Sequence, residues 1–272
     1  MAAAVREVEL CSQAQTALSV SGADWPVQTC RPLRAGTQFQ AYSRFTAWQE
    51  RARLAPTLLP SGLVVTSTFV TVAAVLLAAG ESSRMGVAKP LLPWFGRPLA
   101  LAQIASLIKG GADEVYVVTG KSDTELRPLL KNVPHVHRVH NPHFAEGKTT
   151  SVKAGVAALP EGISAIVLLA VDQPRPAWVV RRVLESHIAS GKVLTSPRNE
   201  GHGGHPLVFA GSLRAELAAI TEDQKGIRAV FNKHAHEMNR VEFDSEIVRL
   251  DLNTPEAYQE ALLTYEELSR EP

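Results

Sequence analysis

Cysteine is nearly absent. The 272-residue chain carries only Cys11 and Cys30, and nothing after them has a thiol. A disulfide scaffold and a thiolate zinc site are therefore excluded from the main body, and a reducing cytoplasm is the expected location. An excess of charge of one sign is missing too. With 28 Lys and Arg against 27 Asp and Glu, the formal net charge is +1. No strong field points to nucleic acid or a membrane surface as partner. The N-terminus, Met1 to Glu9, lacks a basic region followed by an apolar core, so it does not read as a secretory leader. The apolar run 63–79 contains Thr66, Ser67, Thr68 and Thr71 and passes directly into Gly80. It reads as a linker leading to a buried strand, not as a membrane helix. No internal repeat or low-complexity tract is present.

What is there is an ordinary globular composition, 45% hydrophobic and 20% charged, unevenly organised. Residues 1–70 show no sustained period, apart from a short helical stretch at Ala47 to Leu54. They are expected to be a disordered or loosely attached extension, translated from a start codon placed upstream of the domain. From Val72 onward strands and helices alternate. Expected strands are Val72 to Leu77, Glu114 to Thr119, Val136 to His140, Ala165 to Val171, Val193 to Ser196, Leu207 to Phe209, Arg240 to Phe243 and Ile247 to Leu250. Helices are expected between them, including one from Thr150 to Leu159 and a last one from Pro255 to Leu268. This pattern predicts one α/β domain over 71–272 with a mainly parallel sheet sandwiched by helices. Ligands of such sheets bind beyond the carboxyl ends of the strands.

The residues with chemistry sit at such ends. Val72 to Leu77 stops at Ala78-Ala79-Gly80, followed by Ser82, Ser83, Arg84 and Lys89. The spacing of Gly80, Gly86 and Lys89 is not that of a Walker A loop, and the Gly-x-Gly-x-x-Gly fingerprint is absent. Two readings stay open: small residues and two cations cradling a polyphosphate, or a solvated basic loop. Asp172-Gln173-Pro174 follows an apolar strand, where the carboxylate suits either a hard cation or the cap of the helix starting near Ala177. In Asp251-Leu252-Asn253-Thr254-Pro255, Thr254 and Pro255 are helix-entry chemistry. Asn141 to Ser151 ends a strand and opens a helix with hydroxyls that suit capping or a bound base or phosphate. His202 and His205, in a glycine-rich loop, suit metal or are incidental. His135, His137, His140 and His143 read as surface or edge-strand residues.

Taken together, Leu77 to Gly86, Lys89-Pro90-Leu91-Leu92 and Gly96-Arg97-Pro98-Leu99 closely resemble the opening of the nucleotidyltransferases related to molybdenum cofactor synthesis. Among these the chain looks most like the molybdenum cofactor cytidylyltransferases, over roughly Val72 to Leu262. The resemblance implies a Rossmann-like three-layer sandwich of the nucleotide-diphospho-sugar transferase type. It implies transfer of NMP from CTP, or another NTP, to a molybdopterin-type phosphorylated acceptor, with pyrophosphate released and a recipient molybdoenzyme as a further partner. Under it the backbone of Leu77, Ala78, Ala79, Gly80, Glu81, Ser82 and Ser83 holds the triphosphate, and Arg84 and Lys89 are the catalytic cations. Asp172 binds Mg²⁺ together with Asn253 or Asp251, Gly147 and Ser151 lie near the nucleotide, and Gly204 and His205 lie on the acceptor side. The chain departs from the family at Asn253, where many relatives have Asp, at Lys148, Thr149 and Thr150, and at Glu222 and Ile227 within an Asp223-to-Arg228 match that is only partial. Rival expectations are a GTP-using or sugar- or alcohol-phosphate nucleotidyltransferase, an NAD(P)-dependent oxidoreductase, and a non-catalytic nucleotide sensor or insertion chaperone. A phosphate monoester has a second pKa of about 6, so it attacks as a dianion without a strong base. The task is to bring two anions together, which calls for cations and oriented N–H groups.

Overall fold

The computed structural model describes residues 71–80, 85 and 87–272. The extension expected over 1–70, with both cysteines, and the loop residues Glu81, Ser82, Ser83 and Arg84 lie outside them.

All seven residues of β1 (Val72–Ala78) are buried. A strand hidden on both faces belongs in the middle of a sheet with a layer on each side. β1 pairs in parallel with β4 (Glu114–Thr119) on one side and β6 (Ala165–Ala170) on the other. Beyond β4 lies β5 (Val136–His140), again parallel. Beyond β6 lie β9 (Leu207–Ala210), which is antiparallel to it, then β7 (Leu194–Asn199) and β10 (Met238–Glu242). The order is β10-β7-β9-β6-β1-β4-β5, with the short β8 (His202–Gly203) paired to β7. The sheet is mainly parallel, as the alternation of elements predicts.

The period of two along β1 divides its side chains between two cores. Val72, Ala74, Leu76 and Ala78 face one, together with residues of α1 (Leu99–Lys109), α2 (Asp123–Leu130), α4 (Ala177–Ser190) and α7 (Pro255–Leu268). Ala73, Val75 and Leu77 face the other, with residues of α3 (Lys148–Ala157), α5 (Arg214–Ala219) and α6 (Ile227–Lys233). The result is the expected Rossmann-like three-layer α/β sandwich. Gly155 lets α3 lie close to the sheet: a Cβ there would run into Val75 and come within 2.9 Å of Val118 Cγ2. Among the described residues no helix is long and apolar enough to cross a membrane.

Three features differ from expectation or were unforeseen. Ile247 to Leu250 is not a strand. Glu246–Val248 forms a 3-10 turn, with Ser245 Oγ accepting from Ile247 N at 3.3 Å. The carbonyl of Val248 is taken by His205 N and by the Arg175 side chain, so it is lost to any ladder. Helix α3 begins at Lys148, two residues before the hydroxyl cluster implied. A small hairpin, β2 (Pro93–Trp94) and β3 (Arg97–Pro98), turns through Phe95 at φ 46° and Gly96 at φ 84°, a left-handed pair that glycine tolerates freely. Trp94 is buried there and packs against Tyr258 and Tyr265 of α7. This ties the chain just after Lys89 to the helix just after Asn253.

His187 is buried in α4 with Nδ1 2.9 Å from Thr195 Oγ1. Burial pushes its pKa down from 6.5 to about 4. Between those values the unfolded chain binds the extra proton and the folded chain does not, so stability is expected to fall as pH drops through the window and to level off below it. The loss attributable to this group is roughly 3 kcal/mol. Urea unfolding at pH 7 and pH 4.5, with His187→Gln reducing the difference, checks it.

Candidate active site

The chain leaves β1 toward β4 and β5, then returns to β6 on β1's other side. Such a reversal opens a crevice at the carboxyl ends of the two strands. A cavity of about 270 Å³ lies there. Leu77, Ala78, Ala79 and Gly80 supply its wall from β1, and Ala170, Val171 and Asp172 from β6. Lys89 and Pro90, the start of α3 with Gly147, Lys148 and Ser151, and also Phe144 and Asn253 complete the lining.

Lys89 stands on a 3-10 turn (Lys89–Leu91) anchored by buried Pro90, with Leu92 N donating to Lys89 O at 3.1 Å. Its Nζ donates to Asp172 Oδ2 at 2.7 Å and to Asn253 Oδ1 at 3.1 Å. Asp172 follows β6 directly, where Val171 N donates to Leu77 O at 2.9 Å. It is not a helix cap: the residue before α4 is Pro176, and no side chain caps that helix. The backbone of Asp172 also holds the third segment, since Leu252 N donates to its carbonyl at 2.8 Å. Thr254 then caps α7 as expected, accepting from Ala257 N at 3.2 Å. Three stretches far apart in sequence therefore meet at one ammonium.

Between the two possible second ligands, the geometry separates the roles. Asn253 faces the cavity and shares Lys89 with Asp172. Asp251 does not line the cavity, and it keeps exposed surface. Desolvation, followed by the nearby Asp172 charge, raises its pKa against the pull of Arg175 and Lys148. A carboxylate and an amide oxygen around one cationic position are the hard donors that suit Mg²⁺, and Lys89 already places a positive charge there. Among the described residues no cluster of three or more His, Cys, Asp or Glu could enclose a metal. Oxygens from a bound phosphate would have to complete its shell.

The rim at α3 is built by Asn141. Buried at the end of β5, it donates through Nδ2 to Thr150 Oγ1 and Ser151 Oγ, each at 3.0 Å, and accepts from His143 N at 3.0 Å. Gly147, at φ 124°, leads into the helix. Its neighbour Thr149 N donates to Glu222 Oε1 at 2.9 Å. A Cβ on Gly147 would displace that same carboxylate oxygen, 2.5 Å away, and the backbone at φ 124° is one that glycine adopts without strain. The expected nucleotide residues Leu77, Ala78, Ala79, Gly80, Gly147 and Ser151 are thus brought together with Lys89, Asp172 and Asn253.

Gly204 and His205 lie off the cavity wall. Gly204 is buried, and a Cβ would collide with Val248 O. His205 precedes a cis peptide at Pro206. Burial, then the charges of Arg175 and Lys148, hold its imidazole down at about 3, so it is neutral at ordinary pH. His202 is exposed, with Nδ1 3.0 Å from Glu200 O. His135, His137 and His140 lie on or next to the exposed edge strand β5, as expected.

Sequence reasoning missed Phe144, Pro90 and Lys148 as cavity residues, Asn141 as the holder of the hydroxyls, and Arg175. The aromatic in Asn-Pro-His-Phe and the lysine replacing a small residue were signals for the first group. Arg175 gave none: it is wholly enclosed, and burial lowers its guanidinium pKa to about 10, still protonated at neutral pH.

A sequence model described as the MobA-like NTP transferase domain matches residues 74–238. Molybdenum cofactor cytidylyltransferase of Escherichia coli (strain K12) is 28% identical over 200 residues, 71% of this chain and 97% of that protein. Nicotine blue oxidoreductase of Paenarthrobacter nicotinovorans is 31% identical over 193 residues, 68% and 93% of the respective chains. Among solved structures, Rv0371c of Mycobacterium tuberculosis H37Rv superposes with a TM-score of 0.62 at 25% identity, covering 71% of this chain and 98% of that one. Its complex with manganese gives 0.58 at 23% identity, covering 71% and 99%.

Lys89→Met is expected to weaken binding of a Mg²⁺–nucleoside triphosphate by roughly 10- to 100-fold, the worth of one charge-assisted hydrogen bond. Calorimetric titration checks it; wild-type affinity in the variant would remove Lys89 from the site.

Proposed function

The chain belongs to the MobA-like NTP transferase family, and from that premise we propose that it transfers the nucleoside monophosphate of CTP to a molybdopterin-type phosphorylated acceptor. An oxygen of the acceptor phosphate attacks the α-phosphorus of the nucleotide. A new P–O–P linkage forms, the bond from the α-phosphorus to the bridging oxygen breaks, and pyrophosphate leaves. The observation that carries this reading is the Lys89 ammonium shared by Asp172 and Asn253 on a cavity lined by residues 77–80 at the end of β1.

Each residue has a task in that reaction. Residues Leu77 to Gly80 border the triphosphate, and the resemblance gives Glu81, Ser82 and Ser83 a share in binding it. Lys89 moves from the carboxylate to the phosphates and neutralises them. Arg84 faces the charge that grows on the α-phosphate and the leaving group. Asp172 and Asn253 would hold Mg²⁺, which supplies charge neutralisation across the phosphates when bound. Asp251 adds a second negative charge behind Asp172. Gly147 and Ser151 border the nucleoside, and Lys148 lies beside them as a third cation for the anionic reactants. No group in this set acts as a strong base, and the dianionic acceptor needs none.

The relative from Paenarthrobacter nicotinovorans favours a second reading. Its name is that of an oxidoreductase, so hydride transfer on the same frame is the rival class. The experiment that separates the readings is a screen of CTP, GTP, UTP and ATP against phosphorylated acceptors, following pyrophosphate, with NADH and NADPH oxidation in parallel. Pyrophosphate release with CTP and a molybdopterin acceptor supports the proposal. Oxidation of a nicotinamide with no pyrophosphate overturns it, as does nucleotide binding with no turnover.

In the same assay Asp172→Ala is expected to remain folded and lose at least 100-fold in Mg²⁺-dependent turnover, a loss of the size seen when an electrostatic stabiliser is removed. Arg84→Ala is expected to lower the maximal rate more than nucleotide affinity, as a single-turnover measurement would show; an unchanged rate constant would contradict its assigned role.

A further inference from the structure

Arg175 is the largest wholly buried side chain among the described residues. Its hydrogen-bond partners are all backbone carbonyls. Nε donates to His205 O at 2.9 Å, one terminal nitrogen to Pro174 O at 2.9 Å and Leu250 O at 2.8 Å, and the other to Val248 O at 2.8 Å. Its own backbone N–H donates to Gln103 Oε1 at 3.2 Å, and Gln103 Nε2 returns a bond to Gln173 O at 2.5 Å.

These contacts span three segments. One is the turn carrying Asp172, one is the loop at His205, and one is the stretch from Val248 to Leu250 that delivers Asp251 and Asn253. A buried guanidinium is costly, and packing alone would be served as well by an apolar side chain of similar volume. Lysine could not replace it, because an ammonium does not present a rigid planar fork to carbonyls arriving from different directions. The enclosed positive charge also lies near both Asp172 and Asp251.

We propose that Arg175 is a positioning residue of the cation and phosphate site. It fixes the segment 248–253 against the turn 172–174, so that the Asp172 and Asn253 oxygens meet at one point, and its charge offsets the crowding of two carboxylates. The inference rests on the nucleotidyltransferase reading. It goes beyond that reading in assigning the assembly of the cation site to a residue that touches neither metal nor substrate.

The test is Mn²⁺ binding, followed by electron paramagnetic resonance in the presence of CTP, for wild type, Arg175→Met and Arg175→Lys. Pyrophosphate release at varied Mg²⁺ is measured alongside. The proposal expects Arg175→Met to bind Mn²⁺ at least tenfold more weakly in its folded fraction. It also expects a higher Mg²⁺ requirement and a lower kcat, with Arg175→Lys recovering only part of each. A variant that melts earlier but binds Mn²⁺ with the wild-type dissociation constant overturns it, because a purely structural role would do that. If Arg175→Met does not fold, Arg175→Lys carries the same decision: unaltered Mn²⁺ affinity in the folded Lys variant overturns the proposal. Wild-type protein that holds no Mn²⁺ with CTP is a different result, and it defeats the functional reading itself.

Discussion

The ammonium of Lys89 joins a carboxylate from the end of β6 to an amide oxygen from the entrance of α7, which lie 83 and 164 positions further along the chain. An ion pair that is only partly exposed gains more from Coulomb attraction than a surface pair does. It also has a structural consequence. Lys89 reaches both partners only because Pro90 buries its turn and because the hairpin that follows leans on α7 through Trp94. If that turn moved, the two oxygens would lose their shared donor, and Asp172 would face Asp251 without it. The fold therefore gathers like charges and holds the opposing charge next to them, an arrangement suited to receiving an anion that carries its own metal.

The sheet explains why this meeting point exists. β1 and β6 are nearly pure aliphatic strands buried on both faces, so they occupy the centre, and the chain reverses direction between them. Their carboxyl ends carry alanine and glycine on one side and aspartate on the other. Small residues border the cavity from β1, and the acid meets the cation from β6. The same logic operates at α3, where buried Asn141 sets Thr150 and Ser151 at the rim and Gly147 admits both a left-handed turn and the Glu222 carboxylate.

Some of this was legible from the chain alone. Apolar runs ending in Gly80 and in Asp172 mark strand ends by composition, and the mainly parallel sheet follows from strand–helix alternation. For Lys89 and Asp172 composition left a solvated loop and a helix cap equally open, and it was the resemblance to the molybdenum cofactor nucleotidyltransferases that implied their roles. Other parts depend on partners that no local pattern shows. Arg175 follows Asp-Gln-Pro and precedes a helix, where an arginine ordinarily faces water. Its acceptors lie 30, 73 and 75 residues away. Ile247 to Leu250 has the side chains of a strand, but its carbonyls are claimed by that same arginine, and it turns instead. The choice between Asp251 and Asn253 likewise needed the position of Lys89, since two acceptors flanking one leucine are equivalent on paper.

The proposed function requires Lys89, Asp172 and Asn253 to define one cation position used by a nucleoside triphosphate. A crystal structure of the protein with Mn²⁺ and a non-hydrolysable CTP analogue, with the metal located by its anomalous signal, decides this. The expected result is metal within bonding distance of Asp172 and Asn253, the triphosphate against residues 77–80, and Lys89 turned onto a phosphate oxygen. Metal and phosphates bound elsewhere, with Lys89 still on Asp172, would contradict it.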